Sequence, residues 1–328
     1  MKANSRIRKQ TGPIQDRSVR AKRIFSAKAA KPTFQFVYMG DSWVIGGNLT
    51  GEAIFNGVLS GTAKQKPSFV IHGGDGVFSG GADQYRCLKF KLKKYIPGIP
   101  FIMVPGNHDG VITGSNPNKK YNFANYIANF PRKFTPDLDF AVSFLQDRVR
   151  VVAMNTVQGF NSQGQTLYGL TNRQLDYLEK QLTPSRFNIV TMHVPLNEWT
   201  SGFSKQKARF LKIINQKKVP LVLQSHAHEY KKVTGKITTF ITSGGAGAAL
   251  DPGNIFHYVQ IQVTNGKVSK ISRKEVNWIG SNLGQAPCNC KCSSTHSRMR
   301  SSTKEAKVRR SISGPSVYAK RASRQGRK

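Results

Sequence analysis

Long apolar runs, acidic side chains and cysteines are all scarce in this chain of 328 residues, and each shortage excludes something. No stretch approaches the roughly 18 uninterrupted apolar residues of a membrane-spanning helix. The first residues also lack the apolar core of a secretory signal, so we expect no membrane span and a soluble, cytoplasmic protein. The first 30 residues, rich in arginine and almost free of acids, match the composition of an organelle transit peptide as well, but a basic disordered arm needs fewer assumptions. Four cysteines make no disulfide framework, because Cys87 stands alone in a predicted helix and Cys288, Cys290 and Cys292 crowd together near the end. The spacing of that run differs from the paired cysteines of zinc modules. A flexible, oxidisable segment is therefore a simpler reading than a soft-metal site completed by His296.

The shortage of acid has the larger consequence. Sixteen Asp and Glu face 51 Lys and Arg, a formal charge of +35 that points to an acidic partner. Residues 1–33 hold ten basic residues and one acid, and residues 281–328 hold twelve and one. We expect three parts: a basic disordered arm over 1–33, a folded domain over 34–280, and a basic Ser/Lys/Arg-rich disordered tail over 281–328 that carries the three cysteines. Lys/Arg runs without aromatics bind phosphate backbones electrostatically, so nucleic acid or another polyanion is a candidate partner.

What the middle of the chain does contain is a repeated event. Five short β-branched or aromatic runs end in a polar residue able to bind metal. Phe34–Met39 runs into Gly40 and Asp41, and Ser68–His72 into Gly74 and Asp75; Phe101–Val104 leads to Gly106, Asn107, His108 and Asp109. Asn188–Met192 runs into His193, and Leu221–Leu223 into His226 and His228. Strand ends are where ligand sites assemble in open α/β sheets. Carboxylates, imidazoles and one amide oxygen suit divalent or trivalent manganese, iron or zinc. Helices are predicted around 51–62, 82–94, 122–130 and 205–216, and from a capping box at Thr171 and Gln174 that opens a Leu175, Leu178, Leu182 stripe. Further strands are expected at 149–154, 238–242 and 257–263. The alternation argues for an α/β domain with more than one sheet.

These motifs, in this order, resemble the calcineurin-like metallophosphoesterases, in their purple-acid-phosphatase-like branch. The resemblance spans about residues 34–275 and implies a four-layer αββα sandwich of two mixed sheets flanked by helices. It also implies an enzyme that hydrolyses phosphoesters with a hydroxide activated by two metal ions. Asp75 would bridge the ions; Asn107, His193 and His226 would complete one position, and Asp41 with His228 would belong to the other. His108 resembles the acid that stabilises the phosphate and protonates the leaving group, oriented by Asp109.

Two departures stand out. Where the family has a histidine two residues after its first aspartate, this chain has Trp43, and where purple acid phosphatases have a metal-binding tyrosine it has Phe78. The first position is one ligand short. His72 and His257 lie within strands and read as structural, Thr242–Ala248 reads as a glycine loop near the site rim, and the segment 110–138 has the length and charge of a substrate-facing loop. Two alternatives go with the basic charge: a nucleic-acid-binding protein on a degenerate phosphoesterase scaffold, and a nuclease.

Overall fold

The computed structural model describes residues 31–45 and 49–276. The expected arm up to residue 30, the expected tail and the Cys288, Cys290, Cys292 run lie outside the described residues.

Strands form where alternation lets both faces be buried. In β1 (Phe34–Met39) the residues Phe34, Phe36 and Tyr38 enter one core cluster while Val37 and Met39 enter another. β2 (Val70–His72) pairs parallel to β1, and β3 (Phe101–Met103) parallel to β2. From late in the chain, β14 (His257–Thr264) pairs antiparallel with β1, and β15 (Lys267–Glu275) with β14. The resulting five-stranded sheet has the order β15-β14-β1-β2-β3.

A second sheet joins β6 (Phe140–Phe144), β7 (Val149–Met154), β10 (Phe187–Met192), β11 (Leu221–Gln224), β12 (Tyr230–Thr234) and β13 (Thr239–Ser243). Its order is β12-β13-β11-β10-β7-β6, parallel in the middle and antiparallel at both edges. Two short antiparallel pairs complete the strands: β4 (Val111–Thr113) with β5 (Lys120–Asn122), and β8 (Val157–Phe160) with β9 (Thr166–Tyr168).

The sheets pack face to face. Phe36, Ile71 and Val259 from the first, with Phe69 just before β2, meet Val151, Ile189, Leu223 and Ile241 from the second in one cluster. The outer face of the first sheet buries Val70 and Met103 against Phe55 and Leu59 of α1 (Leu49–Lys64) and Leu88 of α2 (Ala82–Tyr95), with Tyr126 of α3 (Ala124–Asn129) beside them. The outer face of the second buries Val152, Val190 and Val222 against Leu175 and Leu178 of α4 (Asn172–Gln181) and Phe210 and Ile213 of α5 (Ser204–Gln216). Helix, sheet, sheet, helix is the four-layer sandwich that the resemblance implies. The capping box forms as expected: the Thr171 hydroxyl accepts from the Gln174 N–H, and the Gln174 side chain accepts from the Thr171 N–H at 2.9 Å. Among the described residues no helix is long and apolar enough to cross a membrane.

Phe69 ties the sheets together, with its ring 5.0 Å from that of Phe36 and 4.3 Å from that of Phe144 across the interface. Deleting a fully buried phenylalanine costs about 3–5 kcal/mol through lost transfer energy and the cavity left behind. Phe69→Ala is therefore expected to lower the midpoint of urea unfolding by that equivalent with an unchanged m-value.

The sequence reading missed β15, whose nine residues include only two large apolar side chains, Val268 and Ile271. It also took 110–138 for a substrate-facing loop apart from the helix expected around 122–130; that helix is α3, but the β4–β5 hairpin before it was not foreseen. Three-residue strands leave no periodicity to read.

Candidate metal centre

Each residue singled out as a ligand lies just past a strand: Asp41 after β1, Asp75 after β2, Asn107 after β3, His193 after β10, and His226 with His228 after β11. Since the strands run parallel, their ends lie at the same edge of each sheet. The backbone there is unusual. Asp41, Asp75 and His226 all take positive φ, at 59°, 54° and 68°. Non-glycine residues held in that region cost about 1–3 kcal/mol each and persist only where their surroundings over-determine them.

Glycines make the close approach possible. Gly74 has φ of 102°, and a Cβ on it would stand 2.7 Å from His193 Nδ1. A Cβ on Gly106 would stand 2.1 Å from Asp75 Oδ1. The Gly-Asp and Gly-Asn pairs of the motifs thus keep space for the polar residue of the neighbouring loop.

Four donors converge. His193 is fully buried, and its Nδ1–H donates to the Gly73 carbonyl at 2.9 Å, which turns Nε2 towards the centre. Around that nitrogen lie Asn107 Oδ1 at 3.1 Å, His226 Nδ1 at 3.1 Å and Asp75 Oδ1 at 3.3 Å. Atoms that bind one ion at about 2.0–2.2 Å in a tetrahedron lie roughly 3.3–3.6 Å from one another. The three spacings from His193 Nε2 are close to that, so the donor set suits a single divalent cation. Asp75, His193 and His226 offer ligand atoms that all lie within 4.8 Å of one another.

The cluster attracts positive charge. Burial alone would drain a proton from His193, but the carboxylates of Asp75 and Asp41 raise it to about 9. Its neighbour His226 goes the other way, lowered to about 3 by burial and then by the charge on His193. Burial pushes Asp75 up, yet His193 beside it holds the carboxyl below the usual carboxylate range. The same arrangement that favours a proton on His193 would favour a metal ion in its place, and metal binding would release that proton.

Asp41 and His228 stand next to this cluster. The Asp41 carboxylate is wholly buried; Oδ2 accepts the His226 N–H at 3.0 Å, and His228 Nε2 lies 3.6 Å from Oδ1. His228 Nδ1–H donates to the Ala249 carbonyl at 2.5 Å. The glycine loop lies here too, with the Ala246 and Ala248 N–H groups donating to the carbonyls of Gly40 and Asp41 at 3.0 and 2.8 Å. Trp43 donates its indole N–H to Asp75 Oδ2 at 3.3 Å.

His108 donates its backbone N–H to Asp75 Oδ1 at 2.9 Å, while its ring Nδ1–H donates to the Phe78 carbonyl at 2.6 Å. The expected orientation of His108 by Asp109 is corrected by the structure. Asp109 accepts instead from the N–H groups of Asp75 and Gly106 at one oxygen (2.7 and 2.8 Å) and of Gly76 and Val77 at the other (3.0 and 3.3 Å). It is a buried clip between two ligand-bearing loops. His72 and His257 have structural contacts: His72 Nε2 lies 3.0 Å from Ser42 Oγ, and His257 Nε2 lies 3.0 Å from Ser243 Oγ.

The calcineurin-like phosphoesterase family model matches residues 51–230, more than half of the chain. This protein belongs to that family. The matched span takes in Asp75, Asn107, His108, Asp109, His193, His226 and His228, and begins after Asp41 and Trp43. A probable glycerophosphodiester phosphodiesterase GpdQ of Arcobacter nitrofigilis is 26% identical over 147 residues, covering 44% of this chain and 48% of the relative. The chain thus spans about half the length of the curated relative it matches. The purple acid phosphatase PPD1 from yellow lupin (Lupinus luteus) superposes with a TM-score of 0.54 at 14% identity, over 75% of this chain and 52% of that one. That likeness is one of fold. Family membership implies metal dependence, and the donor cluster is where the metal would be held.

Glu198 was missed in the sequence. It is half-buried, and its Oε2 lies 3.5 Å from His226 Nε2, so it can hold the proton there and leave Nδ1 free for metal. Nothing local distinguishes it, since it lies five residues past His193 at the end of a single 3-10 turn, Leu196–Glu198. Partners of this kind typically change metal affinity by about 10–100-fold. Glu198→Gln is expected to raise the metal dissociation constant by that factor in a competition titration with a chelator, while the circular dichroism spectrum stays that of the wild type.

Proposed function

We propose that this protein hydrolyses phosphoesters with a metal ion held by Asp75, Asn107, His193 and His226. The observation that carries the reading is the convergence of three donor atoms, one from each of three loops, to 3.1–3.3 Å from His193 Nε2. Nitrogen and oxygen donors without thiolate favour manganese, iron or zinc. When bound, such an ion polarises a phosphoryl oxygen and lowers the pKa of a coordinated water. A pair of ions, as the family resemblance implies, would add Asp41 and His228 and share Asp75.

The chain's own residues supply the rest. Gly73 and Glu198 fix which nitrogen of His193 and of His226 faces the centre. The Phe78 carbonyl takes the Nδ1–H of His108, so Nε2 is the ring nitrogen left to exchange a proton with a leaving oxygen. Asp109 keeps the Asp75 and Asn107 loops in register.

The test uses the purified full-length protein, its metal content measured, on 4-nitrophenyl phosphate and bis(4-nitrophenyl) phosphate. Hydrolysis of at least one that disappears with chelator and returns with manganese is expected. A metal-loaded protein inert towards both would sink the reading. The charge of +35 favours a polyanionic substrate such as nucleic acid, held in part by the basic ends. In that case affinity should fall steeply with salt, and a chain lacking residues 281–328 should bind less; equal binding by both forms would remove the tail from this role.

A further inference from the structure

The metal site just proposed has a neighbour that behaves differently. A second ion would have to use Asp41 Oδ1, His228 Nε2 and the second oxygen of Asp75. That last oxygen already accepts a hydrogen bond from the Trp43 indole at 3.3 Å. We propose that Trp43 takes the place of the second cation, so that this phosphoesterase works with a single metal ion per chain. The inference rests on the metal-site reading above.

Chemistry gives the first reason. An indole nitrogen is a donor only, with no lone pair for a metal. Standing where relatives have an imidazole, Trp43 subtracts a ligand and adds an N–H that supplies positive dipole to Asp75.

Space gives the second. The Trp43 ring centroid lies 4.6 Å from that of His108, 5.0 Å from that of His228 and 5.2 Å from that of Phe78. The ring is thus packed against His228, which the second ion would need, and held on its other sides by His108 and Phe78. Phe78, standing where a tyrosinate would serve, brings no oxygen of its own side chain.

Third, the main chain that carries the indole is pinned to the Asp75 loop. Trp43 sits at φ of 43°, and its backbone N–H donates to the Asp75 carbonyl at 3.1 Å. The next residue, Val44, donates to the Gly76 carbonyl at 3.1 Å and bridges to Val77. A bulky side chain at positive φ is held there by its surroundings. The two donors left over stand side by side, since Asp41 Oδ1 has no hydrogen bond and lies 3.6 Å from His228 Nε2. Two protein donors are few for an ion that takes four or more.

Metal counting decides the matter on the intact protein. After equilibration with excess manganese and removal of free ion, elemental analysis of the wild type should give one manganese per chain, with the paramagnetic resonance spectrum of an isolated ion. Trp43→His should give two, with the spectrum of a coupled pair. Two ions in the wild type, or a coupled spectrum there, would overturn the inference and leave the metal-site reading standing. No ion at all would overturn both. One ion in both proteins would show that Trp43 is not what excludes the second, and would overturn the role given to it. Should Trp43→His fail to fold, the wild-type count still decides.

Discussion

Asp75→Asn is expected to lose its metal and, with it, hydrolysis down to the background rate, the largest effect of any single substitution in this chain. The carboxylate is used at both oxygens: Oδ1 accepts the His108 N–H at 2.9 Å and lies 3.3 Å from His193 Nε2, and Oδ2 accepts the Trp43 indole at 3.3 Å. An amide has one acceptor and one donor end. Whichever way the substituted amide turned, its NH2 would point at an N–H, and the negative charge that draws a cation would be gone. Breaking a buried polar contact so that a donor is left unpaired costs about 1–3 kcal/mol. The core clusters above and below the site do not include Asp75, so the fold should survive. Elemental analysis and circular dichroism on the same sample check both halves; a variant that kept the wild-type metal content would remove Asp75 from the ligand set.

His108→Ala should instead leave metal content unchanged and lower turnover by roughly 10²–10⁴, the usual contribution of a positioned general acid. The His108 ring makes its hydrogen bond to the Phe78 carbonyl and not to any member of the donor cluster. Its loss should be felt through the leaving group. Esters of 4-nitrophenol, which leaves readily as the anion, should suffer less from the substitution than alkyl esters, which need the proton. Equal losses for both would argue against proton donation, and loss of metal would make His108 a ligand.

Much of this was legible in the sequence for a physical reason. A strand buried on both faces must end where polar residues begin, and Phe34–Met39 before Asp41 or Phe187–Met192 before His193 show that boundary directly. The capping box at Thr171 was legible because both of its hydrogen bonds are local. Contacts between loops distant in sequence were not. Glu198 reaches His226 across 28 positions, and Trp43 reaches Asp75 across 32, and neither side chain differs in its local pattern from a surface residue. Trp43 could be read as a missing ligand, but not as a hydrogen-bond donor into the site. Asp109 was misassigned because adjacency to His108 in sequence suggested contact, while its carboxylate turns back to the main chain. Edge strands such as β15 stayed hidden because one face meets solvent and carries charge.

The Asp109 clip has a bearing on which ion the chain will accept. Its two oxygens hold amides from both the Asp75 and the Gly106 loops, so neither loop can retreat alone. Zinc takes nitrogen and oxygen ligands at about 2.0–2.2 Å, calcium takes oxygens at about 2.3–2.6 Å and wants more of them. An ion of the larger radius would have to spread Asp75 from Asn107 and strain four hydrogen bonds at once. Discrimination by ionic size then belongs to a carboxylate that never needs to touch the ion, and loosening it, as in Asp109→Ala, should widen the range of cations tolerated before it lowers affinity for the preferred one.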